Sequence, residues 1–370
     1  MRKALTAGLT GVLLTASAAV AAAAPVRLAL PAPTGPYAVG STELHLVDSG
    51  RADPWVAGTT RELMVTVRYP ARPGGGPKAP YLTPGAAGPV AGQDANLLGI
   101  PADRLDYTFP THARTGAPAV GGPRPVVLYS PSAQFPRSVG TAQLEQLASE
   151  GYVTVAVDHT HEPAAVEFPG GRVEPQVRPP AGAGKQLIAT RVADIRFVLG
   201  ELEVLARGGN PDAERRELPA GLSLDLTRVG MFGHSAGGFT TGETMVADRR
   251  IDAGADLDGS MAYSQRDRDF GRVVTEGLDR PFLLMSAGNH SAASDASWQE
   301  FLRNQRGWIR ELRVPDGEHF SYTDYQVLLP QLGLDPAAVA PYIGTVDAER
   351  SFATQRTALG AFFCRYLARG

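Results

Sequence analysis

Residues 125–157 limit the fold more than any other stretch of this sequence. Pro125-Val-Val-Leu-Tyr-Ser130 is a short, continuous apolar run of the buried-strand type. Val139 to Glu150 carries Leu144, Leu147 and Ala148 on one helical face, and Tyr152 to Val157 is a second apolar strand. Strand, helix and strand in such close succession form a βαβ unit. The crossover makes the strands parallel, and parallel strands are covered by helices on both faces.

The alternation runs on to the C-terminus. A helical pattern from Leu187 to Leu205 spaces Ile188, Val192, Ile195, Leu199 and Leu202 at three and four. Strand Val229 to Phe232, a helix from about Gly237, strands Ala253 to Leu257 and Pro281 to Ser286, helix Ala296 to Gln305, strand Ile309 to Val314 and helix Ala348 to Leu367 follow. No repeat and no linker divides this pattern, so one α/β domain is expected over residues 25–370, with a mostly parallel, doubly wound sheet. Thr42 to Val47 and Leu63-Met-Val-Thr-Val-Arg-Tyr69 read as antiparallel edge strands ahead of it. Residues 80–123 show Gly, Pro and Ala without a sustained period, and read as a loop-rich insertion that covers or walls a binding site.

Residues 1–24 read as a secretory signal peptide: Arg2 and Lys3, an apolar run from Ala4 to Val20, then small residues from Ala21 to Ala24. The run is short for a membrane anchor, and no later stretch is apolar enough to span a bilayer. The expected product is therefore secreted, with no transmembrane segment after cleavage. The 35 Lys plus Arg against 38 Asp plus Glu leave a net charge of −3, which excludes a nucleic-acid binder that works by counterion release. Cys364 is the only cysteine, so an internal disulfide and a thiolate zinc cluster are both excluded.

Chemistry concentrates at Gly233-His-Ser-Ala-Gly237, which fits Gly-x-Ser-x-Gly between strand Arg228-Val-Gly-Met-Phe232 and a helix. A serine held on so tight a turn has its hydroxyl lifted clear of the sheet, and side chains two residues either side would collide with the neighbouring strand and helix. Ser235 is thus the candidate nucleophile, with the Ala236 amide aimed at a developing oxyanion. The base and its orienting acid follow the serine in the chain. Of the two downstream histidines, His319 lies after the final strand, where the base belongs, and His290 reads as a pocket-wall or surface imidazole. Asp258, at the end of one strand, and Asp295, in the loop after the next, are both candidates for the acid, while Asp252 and Asp256 point elsewhere or pair with arginines. A second oxyanion donor is expected from Ser130-Pro-Ser-Ala-Gln134, where Pro131 has no amide to offer.

From Pro33-Thr-Gly-Pro-Tyr37 and Leu63 to Tyr69 through Gly233-His-Ser-Ala-Gly-Gly238, Asp256-Leu-Asp-Gly259 and Gly317-Glu-His-Phe-Ser321, the chain resembles the platelet-activating-factor acetylhydrolase family. Secreted bacterial lipases of the same α/β-hydrolase superfamily are similar. The resemblance implies an α/β-hydrolase fold, places the acid on Asp258 and the base on His319, and puts the second oxyanion donor at Ala133. It departs at 130–134, where the family's Ser-His-Gly-x-Gly is missing.

Other polar clusters read as structural. His159 and His161, beside Glu162, lack the further ligands a metal needs and are placed near the mouth of the site. Arg191, Arg196, Arg207, Arg215 and Arg216, interspersed with Asp194, Glu201, Glu203 and Glu217, read as a solvated helix face and loop. Trp298 and Trp308 read as packing anchors. The expectation is a secreted serine esterase acting on small-molecule or lipid esters, short-acyl phospholipids by the resemblance, with transient contact at a lipid interface and no cofactor, metal or nucleic acid. The alternatives are a triacylglycerol lipase, a polyester or cutinase-like esterase, and a catalytically silent binding protein of the same fold.

Overall fold

The computed structural model describes residues 26–368, and the leader expected over residues 1–24 lies outside them. In chain order the strands are β1 (Ala38–Ala52), β2 (Thr60–Ala71), β3 (Lys78–Pro80), β4 (Pro110–Thr115), β5 (Arg124–Ser130), β6 (Val153–Val157), β7 (Ala165–Phe168), β8 (Arg172–Pro175), β9 (Leu224–His234), β10 (Ala253–Leu257), β11 (Ala262–Ser264), β12 (Asp269–Phe270), β13 (Phe282–Ser286) and β14 (Ile309–Arg313). The α-helices are α1 (Pro84–Leu98), α2 (Thr141–Ser149), α3 (Gly184–Ala206), α4 (Ala236–Ala247), α5 (Arg272–Glu276), α6 (Ala296–Asn304), α7 (Tyr325–Leu328), α8 (Pro336–Ile343) and α9 (Ala348–Leu367).

Among the described residues ten strands make one sheet in the order β14-β13-β10-β9-β5-β6-β2-β1-β4-β3. Every neighbour from β14 to β6 is parallel, whereas β2 is antiparallel to both β6 and β1. This is the mostly parallel, doubly wound sheet that the βαβ unit called for, in the α/β-hydrolase arrangement that the resemblance implies, with the antiparallel edge in front. Alternation along the strands divides the core in two. Val126 and Leu128 of β5 pack with Ile195 and Leu199 of α3, Phe239 of α4 and Phe301 of α6. Val127 and Tyr129 face the other way, against Leu144 and Leu147 of α2 and Phe362 and Phe363 of α9.

Two segments differ from the sequence expectation. β1 extends well beyond Thr42 to Val47, and its outer polar positions are paired: Arg51 holds Asp48 at 2.8 Å and Asp194 at 2.6 Å. Hydropathy does not register strand residues kept by such partners. Residues 80–123, expected as loop, contain α1 and β4. Pro84 sits in the first turn of α1 and Gly99 ends it at φ 66°, both favourable positions for those residues. The buried face of α1 is mostly alanine, with Val90, and rests on Tyr81, Tyr107, Phe135 and Tyr325. Small side chains against large aromatic ones leave no apolar period to read.

Asp94 is the polar member of that face. It is buried, and its Oδ2 accepts from the hydroxyls of Tyr107 (2.7 Å) and Tyr325 (2.5 Å). Burial outweighs these two hydrogen bonds and pushes its carboxyl up to about 6. A carboxyl raised in the folded state contributes stability below its unfolded pKa and loses it as pH rises through the folded one. Asp94→Asn keeps an oxygen for both tyrosines and removes the charge. In urea unfolding, the variant should gain on the parent as pH rises from about 4 to 6 and then stay about 1–3 kcal/mol ahead; a difference independent of pH would refute this.

Candidate active site

Ser235 lies between β9 and α4 with φ 56° and ψ −121°, a strained backbone for a residue with a side chain. The glycines around it have no alternative. A Cβ on Gly233 would stand 2.2 Å from the Gly237 carbonyl carbon, and one on Gly237 would stand 1.9 Å from Ser130 O. The sheet register explains this crowding: Ser130 of β5 is level with Gly233, and Leu257 of β10 is level with His234. The Ser235 amide donates to Leu257 O at 2.9 Å. Three parallel strands therefore end side by side, at the edge where ligands of open α/β sheets gather.

Asp258 leaves β10 in the left-handed region at φ 60°. Its Oδ2 accepts from His319 Nδ1 at 2.7 Å, and its Oδ1 accepts from the Ala287 amide at 2.7 Å and from His290 Nδ1 at 2.9 Å. Burial works against its charge, yet the hydrogen bonds from His290, His319 and Ala287 prevail and bring it down to about 2. The other candidate acid, Asp295, opens α6: Oδ1 accepts from the amides of Ser297 (2.8 Å) and Trp298 (3.0 Å), and Oδ2 accepts from His290 Nε2 (3.0 Å). Asp295 thus meets His290, and Asp258 meets both histidines. Asp256, expected to turn elsewhere or find an arginine, is buried with its Oδ1 on the Gly259 amide at 2.8 Å. Asp252 accepts from the Val229 amide at 2.9 Å.

His319 begins a short 3-10 turn, with its side chain 42% exposed. His234, inside the elbow, is buried beneath it, with ring centroids 4.5 Å apart and His234 Nε2 donating to His319 O at 2.8 Å. Burial, reinforced by His319, drives the His234 ring down to about 3, so it packs there uncharged.

Ser235, Ala236, Asp258, His290 and His319 share a cavity of about 570 Å³, whose apolar wall includes Leu187, Ile188, Phe239 and Tyr263. No hydrogen bond joins Ser235 Oγ to His319 among the described residues; contacts of this kind commonly close only around substrate. No residue of 80–123 lines this cavity, contrary to the expected cover or wall. The apolar side chains of that segment are engaged in the cluster with Phe135, Tyr325 and Leu328.

Ala133 and Gln134 line an adjoining cavity of about 200 Å³ that shares Gly184 and Leu187 with the first. Their segment is held from below by Arg191, which is fully buried and donates to Pro131 O at 2.6 Å and to Ser132 O at 3.2 Å. Glu162 balances it, with Arg191 Nε 3.0 Å from both carboxylate oxygens. The solvated-face reading of Arg191 and Asp194 is thereby corrected. Both belong to the buried face of α3, which runs under the strand ends. Asp194 accepts from Arg61 Nη2 (2.6 Å), Arg51 Nη2 (2.6 Å) and His159 Nδ1 (2.9 Å). His159 in turn meets Ser130 Oγ at 2.9 Å, beneath the site and not at its mouth, while His161 Nδ1 donates to Pro175 O at 3.1 Å. Burial, with Arg191 nearby, lowers the His159 pKa, so the neutral ring donates to Asp194 and accepts from Ser130.

The Arg191–Glu162 brace and the bridging role of His290 escaped the sequence reading. Glu162 and Arg191 are far apart in the chain, with no spacing that marks a pair. His290 carried one usable signal, its place in a loop at the same edge of the sheet.

A strained serine, an imidazole held by an ionised carboxylate and a cavity between them are the groups that nucleophilic acyl transfer needs. No family model matches the chain. It is 26% identical to a probable 1-alkyl-2-acetylglycerophosphocholine esterase of Arthroderma benhamiae, over 93% of this chain and 90% of the relative. It is 23% identical to a platelet-activating factor acetylhydrolase of Cavia porcellus, over 91% and 78% respectively. A solved structure, a ferulic acid esterase from Streptomyces cinnamoneus, superposes with a TM-score of 0.73 at 34% identity, over 92% of this chain and 93% of that one.

Removing one partner of a buried ion pair leaves the other uncompensated, at a cost of about 3–5 kcal/mol. Arg191→Met should destabilise by about that much in urea unfolding, and Arg191→Met combined with Glu162→Gln should recover part of the loss. Strict additivity of the two substitutions would rule out the brace.

Proposed function

This chain belongs to the platelet-activating-factor acetylhydrolase-like family of esterases and is a carboxylic ester hydrolase; on that premise we propose that it is a secreted serine esterase cleaving short-acyl esters of phospholipid type through Ser235, His319 and Asp258. The observation that carries the reading is the 2.7 Å contact from His319 Nδ1 to an ionised Asp258, beside a serine on a strained elbow in the same cavity. Asp258 holds the imidazole with Nδ1 protonated, which leaves Nε2 free to take the Ser235 proton. Ser235 Oγ attacks the ester carbonyl, and the Ala236 amide at the start of α4 and the Ala133 amide steady the oxyanion. The proton on His319 passes to the leaving alcohol. Water, deprotonated by the same ring, then attacks the acyl-enzyme and frees Ser235.

A second reading of the acyl group is favoured by one feature of the cavity. Phe239 and Tyr263 line it with ring centroids 5.1 Å apart, a wall suited to an aromatic acid, and the Streptomyces relative is named for such a substrate. Hydrolysis rates for an sn-2 acetyl phospholipid, a methyl hydroxycinnamate and an emulsified triglyceride rank the readings. The first should lead; preference for the second reassigns the acyl class, and preference for the emulsion favours a lipase working at a lipid interface.

A fluorophosphonate should label Ser235 in the folded protein, and Ser235→Ala should abolish labelling. Asp258→Asn should lower kcat by about 10³–10⁴-fold, and Asp295→Asn far less. The acid assignment fails if Asp295→Asn alone abolishes turnover. Export rests on Arg2, Lys3 and the apolar run to Val20. The N-terminal sequence of protein recovered from culture medium should start near residue 25, and a retained Met1 would overturn the leader.

A further inference from the structure

His290 plays no part in the chemistry just described, yet it lines the same cavity. Its ring is clamped at both nitrogens, Nδ1 to Asp258 Oδ1 at 2.9 Å and Nε2 to Asp295 Oδ2 at 3.0 Å. Carboxylates that are ionised can only accept, so both ring nitrogens donate, and a ring that donates from both is an imidazolium. The indole of Trp298 packs against it with centroids 4.4 Å apart, and Trp298 Nε1 donates to Gly259 O at 2.8 Å, so the clamp is also held from the side. Asp258 Oδ1 lies toward this clamp and Oδ2 toward His319.

We propose that His290 is a positioning residue, an imidazolium that bridges Asp258 and Asp295, orients the Asp258 carboxylate toward His319 and tempers the negative charge His319 sees. The inference rests on the reading of Ser235, His319 and Asp258 as the reacting set. Burial disfavours a charge on His290, but its hydrogen bonds to Asp258 and Asp295 prevail and push its pKa up to about 10, so it stays charged through the neutral range. In effect the carboxylate at the end of β10 and the one opening α6 share a single cation. The Asp258–His319 pair then works beside a neutral His290–Asp295 ion pair, and not beside a second bare carboxylate.

Other titratable groups surround the cluster. Asp256 of β10 is buried, with burial raising its pKa well above the ordinary range. Glu311 of β14 accepts from the Ala292 amide at 3.3 Å, Glu318 accepts from Asn289 Nδ2 at 3.1 Å, Tyr322 donates to Ser286 O at 2.6 Å, and His234 underlies His319. All remain in place in the variants below, so they do not alter the sign of the comparison.

The readout is the rate of fluorophosphonate labelling of Ser235 in the full-length protein as a function of pH. Its acidic limb reports when the Asp258–His319 pair gives up its proton. In His290→Asn the amide still donates to Asp258 but carries no charge. The pair should then hold its proton more firmly, and the limb should move up by about 0.5–1 pH unit, a labelling rate about three- to tenfold lower below the limb. In Asp295→Ser the hydroxyl oxygen still caps α6, no donor faces His290 Nε2, and a negative charge is lost while His290 stays charged through Asp258, so the limb should move down. A merely structural role lowers rate or melting temperature in both variants without opposite displacements. Limbs that stay put, or move the same way, overturn the proposal; should His290→Asn not fold, an unmoved limb in Asp295→Ser does so alone. Absence of Ser235 labelling in the parent at every pH refutes the nucleophile itself, a different failure.

Discussion

The parallel register of β5, β9 and β10 is the constraint on which the site depends. Ser130, Gly233 and, one position on, Leu257 stand level across the three strands, so the segments leaving them emerge at one edge. Parallel strands point all their C-terminal ends the same way, which lets residues distant in the chain converge without long loops. The approach is so close that glycine is needed at 233 and 237, where any Cβ would overlap backbone atoms. The strained backbone of Ser235 is maintained because the sheet on one side and α4 on the other leave it no relaxed conformation.

Around that edge the protein uses buried charge in place of apolar packing. Arg191 grips the carbonyls of Pro131 and Ser132, Glu162 balances Arg191, and Arg61, Asp194 and His159 continue the network to Ser130. A network of this kind adds little net stability over well-packed hydrophobic residues, but it gives a loop one geometry. That suits a segment whose family glycine pattern is missing here: directional bonds from below can hold Ser130 to Gln134 in shape where glycines would otherwise let it turn. The Asp258–His290–Asp295 bridge does the same for the proposed acid. In both places a cation satisfies several oxygens at once and holds them in one orientation.

Local chemistry made much of this legible. The βαβ run at 125–157 and the alternation after it identified the α/β sheet, because an apolar strand and an amphipathic helix each declare themselves within about ten residues. The elbow was readable for a similar reason: Gly-x-Ser-x-Gly records a steric collision among neighbours. Less legible were α1, whose alanine face matches aromatic side chains from 107, 135 and 325, and the outer part of β1, where Asp48 and Arg51 are kept by ion pairs. Hydropathy measures a residue's own preference and not the partner that meets it.

The sequence by itself therefore determined the class of fold, the strand-turn-helix that presents Ser235 and the two histidines and two aspartates from which a base and an acid could be drawn. Only the tertiary structure decided which of them meet. Asp258 and Asp295 sit at the ends of adjacent parallel strands or the loops beyond them, equally eligible from the chain. A side-chain contact of 2.7 Å depends on the left-handed turn at Asp258 and on the α6 cap that draws Asp295 away, and both are set by residues remote in sequence. Distances between strand ends arise from sheet register, which pairs whole strands through backbone hydrogen bonds that no single side chain encodes.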